Sequence, residues 1–251
     1  MKLASASDLS YFRAKTTPRD PQHFHPNKLV FSVSPIRSEL EIRVCVNRTC
    51  AKQGSRETLE ILSGIAPSNV SINSCGCLGR CGAGPNLVVL PDELLVSHCG
   101  TAAQAAEVMA RIGCGEGSKR SLEALALRKR AEGELERGNW SEAEVLLSQA
   151  IDLKPSGGLH FILRSRSVGR LAMGNYLGAL EDAEEAIQLA PKYPQAYLCQ
   201  GDAFLALEKF DAAENSYAIA LEIDPSLRRS KSFKARVAKL QEKLSAANAP
   251  S

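Results

Sequence analysis

Between Cys75 and Pro85 the chain reads Cys75-Gly76-Cys77-Leu78-Gly79-Arg80-Cys81-Gly82-Ala83-Gly84-Pro85, with three cysteines and four glycines in eleven residues. Reduced thiols at such spacing can hold a metal or exchange electrons. The glycines let the backbone bend close and turn N–H groups toward a negative centre. Upstream, Cys45 and Cys50 form a second close pair. A C-x4-C bite and a C-x3-C bite on neighbouring loops can together surround one centre. Thiolate donors suit an iron–sulfur cluster or structural zinc. A metal-free redox pair is disfavoured because no C-x-x-C follows the first strand. The chain has eight cysteines in 251 residues, too few for a secreted disulfide scaffold, and five lie between Cys45 and Cys81.

Other chemistry is not supported. The glycine loop lacks the Gly-Lys-Ser/Thr end of a phosphate-binding loop. His98 and His160 stand in no recognisable catalytic motif, and no Ser-His-acid or paired-carboxylate constellation is defensible. The chain is therefore read as a carrier or adaptor and not as an enzyme on its own.

The elements that would position the thiols follow from periodicity. Leu40 to Val46 alternates apolar and polar residues, as a half-buried strand does. Ser55 caps a helix to about Ala66. Val70–Ile72 is a short strand, Leu87–Leu90 a buried one, and Leu94–His98 its hairpin partner. Thr101 caps a helix to about Ile112, stopped by Gly113, Gly115 and Gly117. This β-α-β-β-β-α order predicts a compact α/β domain of thioredoxin-like form over residues 39–114, then a linker at 115–121.

Beyond the linker the chain is helical and repetitive. Asn139-Trp140-Ser141-Glu142-Ala143, Asn175-Tyr176-Leu177-Gly178-Ala179 and Lys209-Phe210-Asp211-Ala212-Ala213 each lead to a proline, at 155, 191 and 225. Those prolines are 36 and 34 residues apart. A period near 34 with this grammar is that of the tetratricopeptide repeat (TPR). Three repeats are predicted over 122–227, followed over 228–251 by a basic capping helix and tail. Small alanines should let the helices pack closely, with Trp140, Tyr176 and Phe210 filling space between helix pairs.

Residues 1–38 carry six basic residues against Asp8 and Asp20, with repeated serines and prolines. That is the composition of a transit peptide, closer to a chloroplast leader than a mitochondrial one. The expected location is the chloroplast stroma, with mitochondrion or cytoplasm as alternatives. The rest of the chain is close to neutral, which argues against nucleic acid as a partner. No apolar run reaches the roughly 20 residues needed to span a bilayer.

The two cysteine bites, with Gly54 and Gly84-Pro85 in place, resemble those of the thioredoxin-like [2Fe–2S] ferredoxin family over residues 40–114. That resemblance implies a [2Fe–2S] cluster on Cys45, Cys50, Cys77 and Cys81, with Cys75 as a possible alternative ligand. The implied activity is electron transfer, redox sensing or assembly in the chloroplast, delivered to a protein partner by the repeats. The alternatives are a structural zinc-binding TPR adaptor and an electron-transfer subunit of a larger oxidoreductase. The repeat groove invites comparison with TPR clamps for the carboxyl-terminal tails of Hsp70 and Hsp90. Arg128, Ser165 and Gln195 fall at groove positions, beside Glu132 and Cys199. Glu132 sets a negative charge where a tail carboxylate would sit, so a typical clamp is not expected.

Overall fold

The computed structural model describes residues 40–67 and 69–247. The leader predicted at 1–38 and the final four residues lie outside that range.

β1 (Leu40–Cys45) points Ile42 and Val44 inward, fully buried, and Arg43 outward. It is the hub of a four-stranded sheet ordered β2-β1-β3-β4, with β2 at Val70–Cys75, β3 at Leu87–Leu90 and β4 at Leu94–Val96. β1 runs parallel to β2, setting Ile42 against Ile72, and antiparallel to β3, setting Ile42 against Val89. Parallel neighbours need a crossover. Here it contains α1 (Arg48–Lys52) and α2 (Ser55–Ile65). α2 buries Leu62 and Ile65, and α3 (Ala102–Met109) buries Ala105, Val108 and Met109 in the same core. α3 begins with a capping box in which Thr101 and Gln104 satisfy each other's backbone N–H groups. The other sheet face is polar, where Arg43 and Asn73 both donate to Glu41.

Residues 115–121, expected as a linker, are instead the opening turns of α4 (Gly115–Arg137), a single 23-residue helix. α4 belongs to both halves. Leu125 is buried in the α/β core with Leu122 packed against it, while Ala124 and Ala131 are fully buried against the first repeat. The expected glycine stop after α3 is made by Gly113 alone, left-handed at φ 82°, and the chain is helical again from Gly115.

The repeats pair α4 with α5 (Trp140–Asp152), α6 (Leu159–Ala172) with α7 (Tyr176–Leu189), and α8 (Pro194–Ala206) with α9 (Phe210–Ile223). α10 (Lys231–Ala247) then covers the end. This is a TPR-like helical fold behind a small α/β unit. Ala143, Ala150, Ala179, Ala186, Ala213 and Ala220 are fully buried, so the second helix of each pair approaches its neighbours without side-chain bulk. Each of those helices ends two or three residues before its proline, as expected where proline forbids helical geometry in the residue before it. Of the aromatics expected between helix pairs, Trp140 and Phe210 are half-buried and Tyr176 is exposed. Among the described residues the buried aromatics are Tyr217 and Phe233, whose rings meet edge to face at 6.1 Å.

Ser156-Gly157-Gly158, extra in the first repeat, forms the seam between the halves. Pro67 and Gly157 make an antiparallel bridge, and a Cβ on Gly157 or Gly158 would collide with the main chain of Gly64 or Ala66. Ser121 Oγ accepts from Ser156 N at 3.0 Å, and Lys129 pairs with Glu60 across the join.

Candidate functional site

Two groups of residues merit description: the thiols at one end of the sheet and the aromatic–arginine cluster on the first helices of the repeats.

The thiol end is held by backbone bonds between strands. Cys45 closes β1 and Cys75 closes β2 directly opposite it, while Cys45 N donates to Asn86 O at 2.9 Å. Cys50 sits in α1, which Asn47 caps by accepting from Arg48 N. Cys45 and Cys50 are buried, at 1% and 2% exposure. Asn86, also buried, donates from Nδ2 to Arg80 O at 2.7 Å and to Cys50 Sγ at 3.5 Å, which ties the loop to α1. Gly84 is packed so tightly that a Cβ there would lie 2.9 Å from Cys50 Sγ.

Cys77 and Cys81 differ from that pair in being exposed. Their sulfurs lie 3.4 Å apart, and Gly79 N donates to Cys77 Sγ at 3.4 Å. That backbone bond, followed by the contact with Cys81, lowers the Cys77 pKa. The same contact with Cys77 raises that of Cys81. Burial raises Cys50 and Cys75. Cys99 and Cys199 are buried, and burial pushes the pKa of each up to about 11.

The second group lies on α4, α6 and α8, where α6 packs on both of the others. The Arg128 guanidinium stacks over the Phe161 ring at 5.3 Å and donates to Glu132 Oε1 at 2.9 Å. Ser165 Oγ donates to the same oxygen at 3.4 Å. His160, Phe161 and Tyr193 form a contiguous aromatic set, with the Phe161 and Tyr193 rings edge to face at 5.2 Å. Burial, then the Arg128 charge, lowers the His160 pKa to about 4. Arg164 Nε is buried there without a hydrogen-bond partner. Gln195 stands half-buried in the first turn of α8.

The structure thus brings Arg128 and Ser165 together through Glu132. The Glu132 carboxylate is already engaged by both, so it is not a free negative charge barring an acidic ligand. The ground for discounting a carboxylate clamp falls with it. Sequence reasoning missed Phe161, Arg164 and Tyr193. The signal available was an aromatic or cation opposite Arg128 at one-turn offsets on α6 and α8.

No family model matches the chain. A protein named STIP1 homolog, from Dictyostelium discoideum, is 31% identical over 109 residues, covering 43% of this chain and 19% of that one. The Hsp70-Hsp90 organizing protein of Triticum aestivum is 34% identical over 89 residues, covering 36% of this chain and 15% of that one. The chain therefore spans about a fifth or less of these relatives' length. Among solved structures, the Sgt2 TPR domain from Aspergillus fumigatus is similar at a TM-score of 0.46 and 26% identity, over 51% of this chain and 86% of that one.

These findings correct the cofactor expectation. The similarity found is to proteins named as a STIP1 homolog and an Hsp70-Hsp90 organizing protein, and it gives no support to a [2Fe–2S] ferredoxin domain. Among the described residues no three His, Cys, Asp or Glu side chains are grouped so that they could hold a metal ion. The physical reason is the division of the four expected ligands. Cys45 and Cys50 are buried, Cys50 against Asn86 and Gly84, whereas Cys77 and Cys81 are exposed. The similarity thus overturns the [2Fe–2S] cluster, its zinc alternative and the electron-transfer and chloroplast roles implied by the resemblance. Among the described residues no helix is long and apolar enough to cross a membrane.

Proposed function

We propose that this protein is a non-catalytic TPR adaptor of co-chaperone type, whose groove across α4, α6 and α8 docks an extended segment of a protein partner. The observation that carries this reading is the 31% identity over 109 residues to the STIP1 homolog, together with the repeat architecture. The chemistry of the groove agrees. Phe161 and Tyr193 offer apolar surface for a peptide side chain. Arg164, whose Nε has no hydrogen-bond partner, supplies a cation for an acidic one, next to the largely buried Arg128 that stacks on Phe161 and pairs with Glu132, and Gln195 stands half-buried in the first turn of α8. Aromatic and arginine side chains of this kind dominate the energetics of protein interfaces. The Hsp70-Hsp90 organizing protein's name makes Hsp70 and Hsp90 the first partners to test, through the acidic carboxyl-terminal tails that a cationic groove would suit.

The α/β unit is proposed to be thioredoxin-like, supported by its β2-β1-β3-β4 order with one parallel and two antiparallel pairings. Residues 1–38 are proposed as an addressing segment, which a reporter fused to them would read out directly. Repeats over 122–227 are proposed as the docking module.

Calorimetry with the full chain tests the docking reading. Acidic chaperone-tail peptides should bind with Kd of roughly 1–100 μM, and Arg128→Ala should weaken them about tenfold or more. Circular dichroism would establish that the variant is folded. Failure of all such tails to bind at about 1 mM would sink the reading.

A further inference from the structure

The adaptor reading leaves the Cys77–Cys81 loop without a task. Among the cysteines whose side chains are described these are the two exposed ones, Cys75 being half-buried and Cys45, Cys50, Cys99 and Cys199 buried. Their sulfurs are 3.4 Å apart. A disulfide needs about 2.05 Å, so modest side-chain rotation closes the gap. The loop is shaped for the approach. Gly79, at φ 82°, reverses the chain between the two thiols and aims its N–H at Cys77 Sγ. Cys81 then opens the 3-10 turn Cys81–Ala83, pinned below by Asn86 donating to Arg80 O. One sulfur therefore has a backbone donor to stabilise its anion, and the second is held within reach of it.

We propose that Cys77 and Cys81 form a redox-active dithiol that exchanges with a disulfide-bearing co-substrate. This rests on the α/β loop alone and is independent of what the repeats dock. In the oxidising direction the Cys77 thiolate attacks one sulfur of the co-substrate disulfide. A Cys77 mixed disulfide forms and one co-substrate thiolate leaves. Cys81 loses its proton to solvent and attacks the Cys77 sulfur, forming the Cys77–Cys81 bond and releasing the second co-substrate thiolate. The protein loses two electrons and two protons, and the co-substrate leaves as two thiols. Cys77 attacks first because Gly79 N–H supports its anion; Cys81 resolves. The order follows the general requirement that the thiolate be the nucleophile.

The test uses the full-length Cys75→Ser protein, so that Cys77 is the only exposed thiol on its tryptic peptide. Its metal content is first measured by elemental mass spectrometry. It is then equilibrated in buffers of increasing oxidised-to-reduced glutathione ratio, quenched by alkylation and digested. Trypsin cuts after Arg80, so a Cys77–Cys81 bond leaves two peptides tethered. The tether should appear as the ratio rises and vanish with dithiothreitol. Adding Cys81→Ser should abolish the tether and prolong the Cys77–glutathione adduct by about tenfold or more. Adding Cys77→Ser should remove both species, with circular dichroism showing that each variant is folded. The proposal is overturned if both thiols stay alkylatable at every ratio. It is equally overturned if stoichiometric metal is found with both thiols shielded, or if Cys75→Ser by itself prevents the tether that the parent protein forms.

Discussion

Asp182 lies in α7 with its side chain 3% exposed, and two arginines of α6 converge on it. Arg166 makes a two-pronged contact, Nε to Oδ2 at 3.0 Å and Nη2 to Oδ1 at 2.7 Å. Arg170 approaches Oδ1 at 3.2 Å and also holds Glu144 of α5 at 2.7 Å. Asp182→Ala would leave the Arg166 guanidinium, 15% exposed, without its carboxylate. Breaking a buried pair in this way costs about 3–5 kcal/mol. Arg166 keeps Ser148 Oγ at 3.2 Å and Arg170 keeps Glu144, so the lower end of that range applies. A loss of about 3 kcal/mol in a unit of this size corresponds to a fall in Tm of roughly 6–12 °C. Urea unfolding followed by circular dichroism would show a lower midpoint with an unchanged slope. Pairing Asp182→Leu with Arg166→Met should restore part of the loss, since apolar groups replace both charges. A loss under about 1 kcal/mol, the value of a solvent-screened pair, would refute the claim that this contact locks α6 to α7.

Further outcomes follow from burial and backbone geometry. His160 is neutral in the fold because its pKa is lowered from 6.5 to about 4, so the unfolded chain takes up a proton first as pH falls. Stability should therefore decline from pH 6.5 toward about pH 4, and His160→Gln should flatten that part of the profile in urea titrations at stepped pH. Gly157→Ala should destabilise the chain by about 1–3 kcal/mol through collision with the Ala66 carbonyl, read as a lower unfolding midpoint; an unchanged midpoint would mean the seam is loose. Cys99 and Cys199, with pKa raised to about 11, should alkylate in the native state roughly a hundredfold slower than a free thiol of pKa about 8.5, as timed mass spectrometry would show.

The parts of this fold that sequence revealed are those ruled by short-range periodicity. Alternation over Leu40–Cys45, the Thr101 cap and the alanine–proline grammar of the repeats each have local physical causes, and each is found in place. Long-range packing was not legible. Nothing local in Gly115–Arg120 shows that Leu122 and Leu125 will anchor that segment as helix against α2 and α3. Nor does the spacing of Gly157 and Gly158 reveal that they abut the backbone at 64–66. At the thiol end, spacing established that pairs could form. It could not show that Asn86 and Gly84 would enclose Cys50 while leaving Cys77 and Cys81 outside. In the groove, Glu132 carried the expected charge, but its engagement by Arg128 and Ser165 is a tertiary fact.

The continuity of α4 has a kinetic corollary. A flexible tether would let one half of the molecule search space around the other, giving a broad average of encounter distances. Here the helix that lines the groove is also a wall of the α/β core, and the glycine seam clamps it a second time. A segment held in the groove would meet the α/β unit at one fixed offset. Local concentration there would be high for a partner of matching span and negligible for any other. Under the proposed docking, the shared helix would act as a ruler, selecting partners by the length between their contact points as well as by their chemistry.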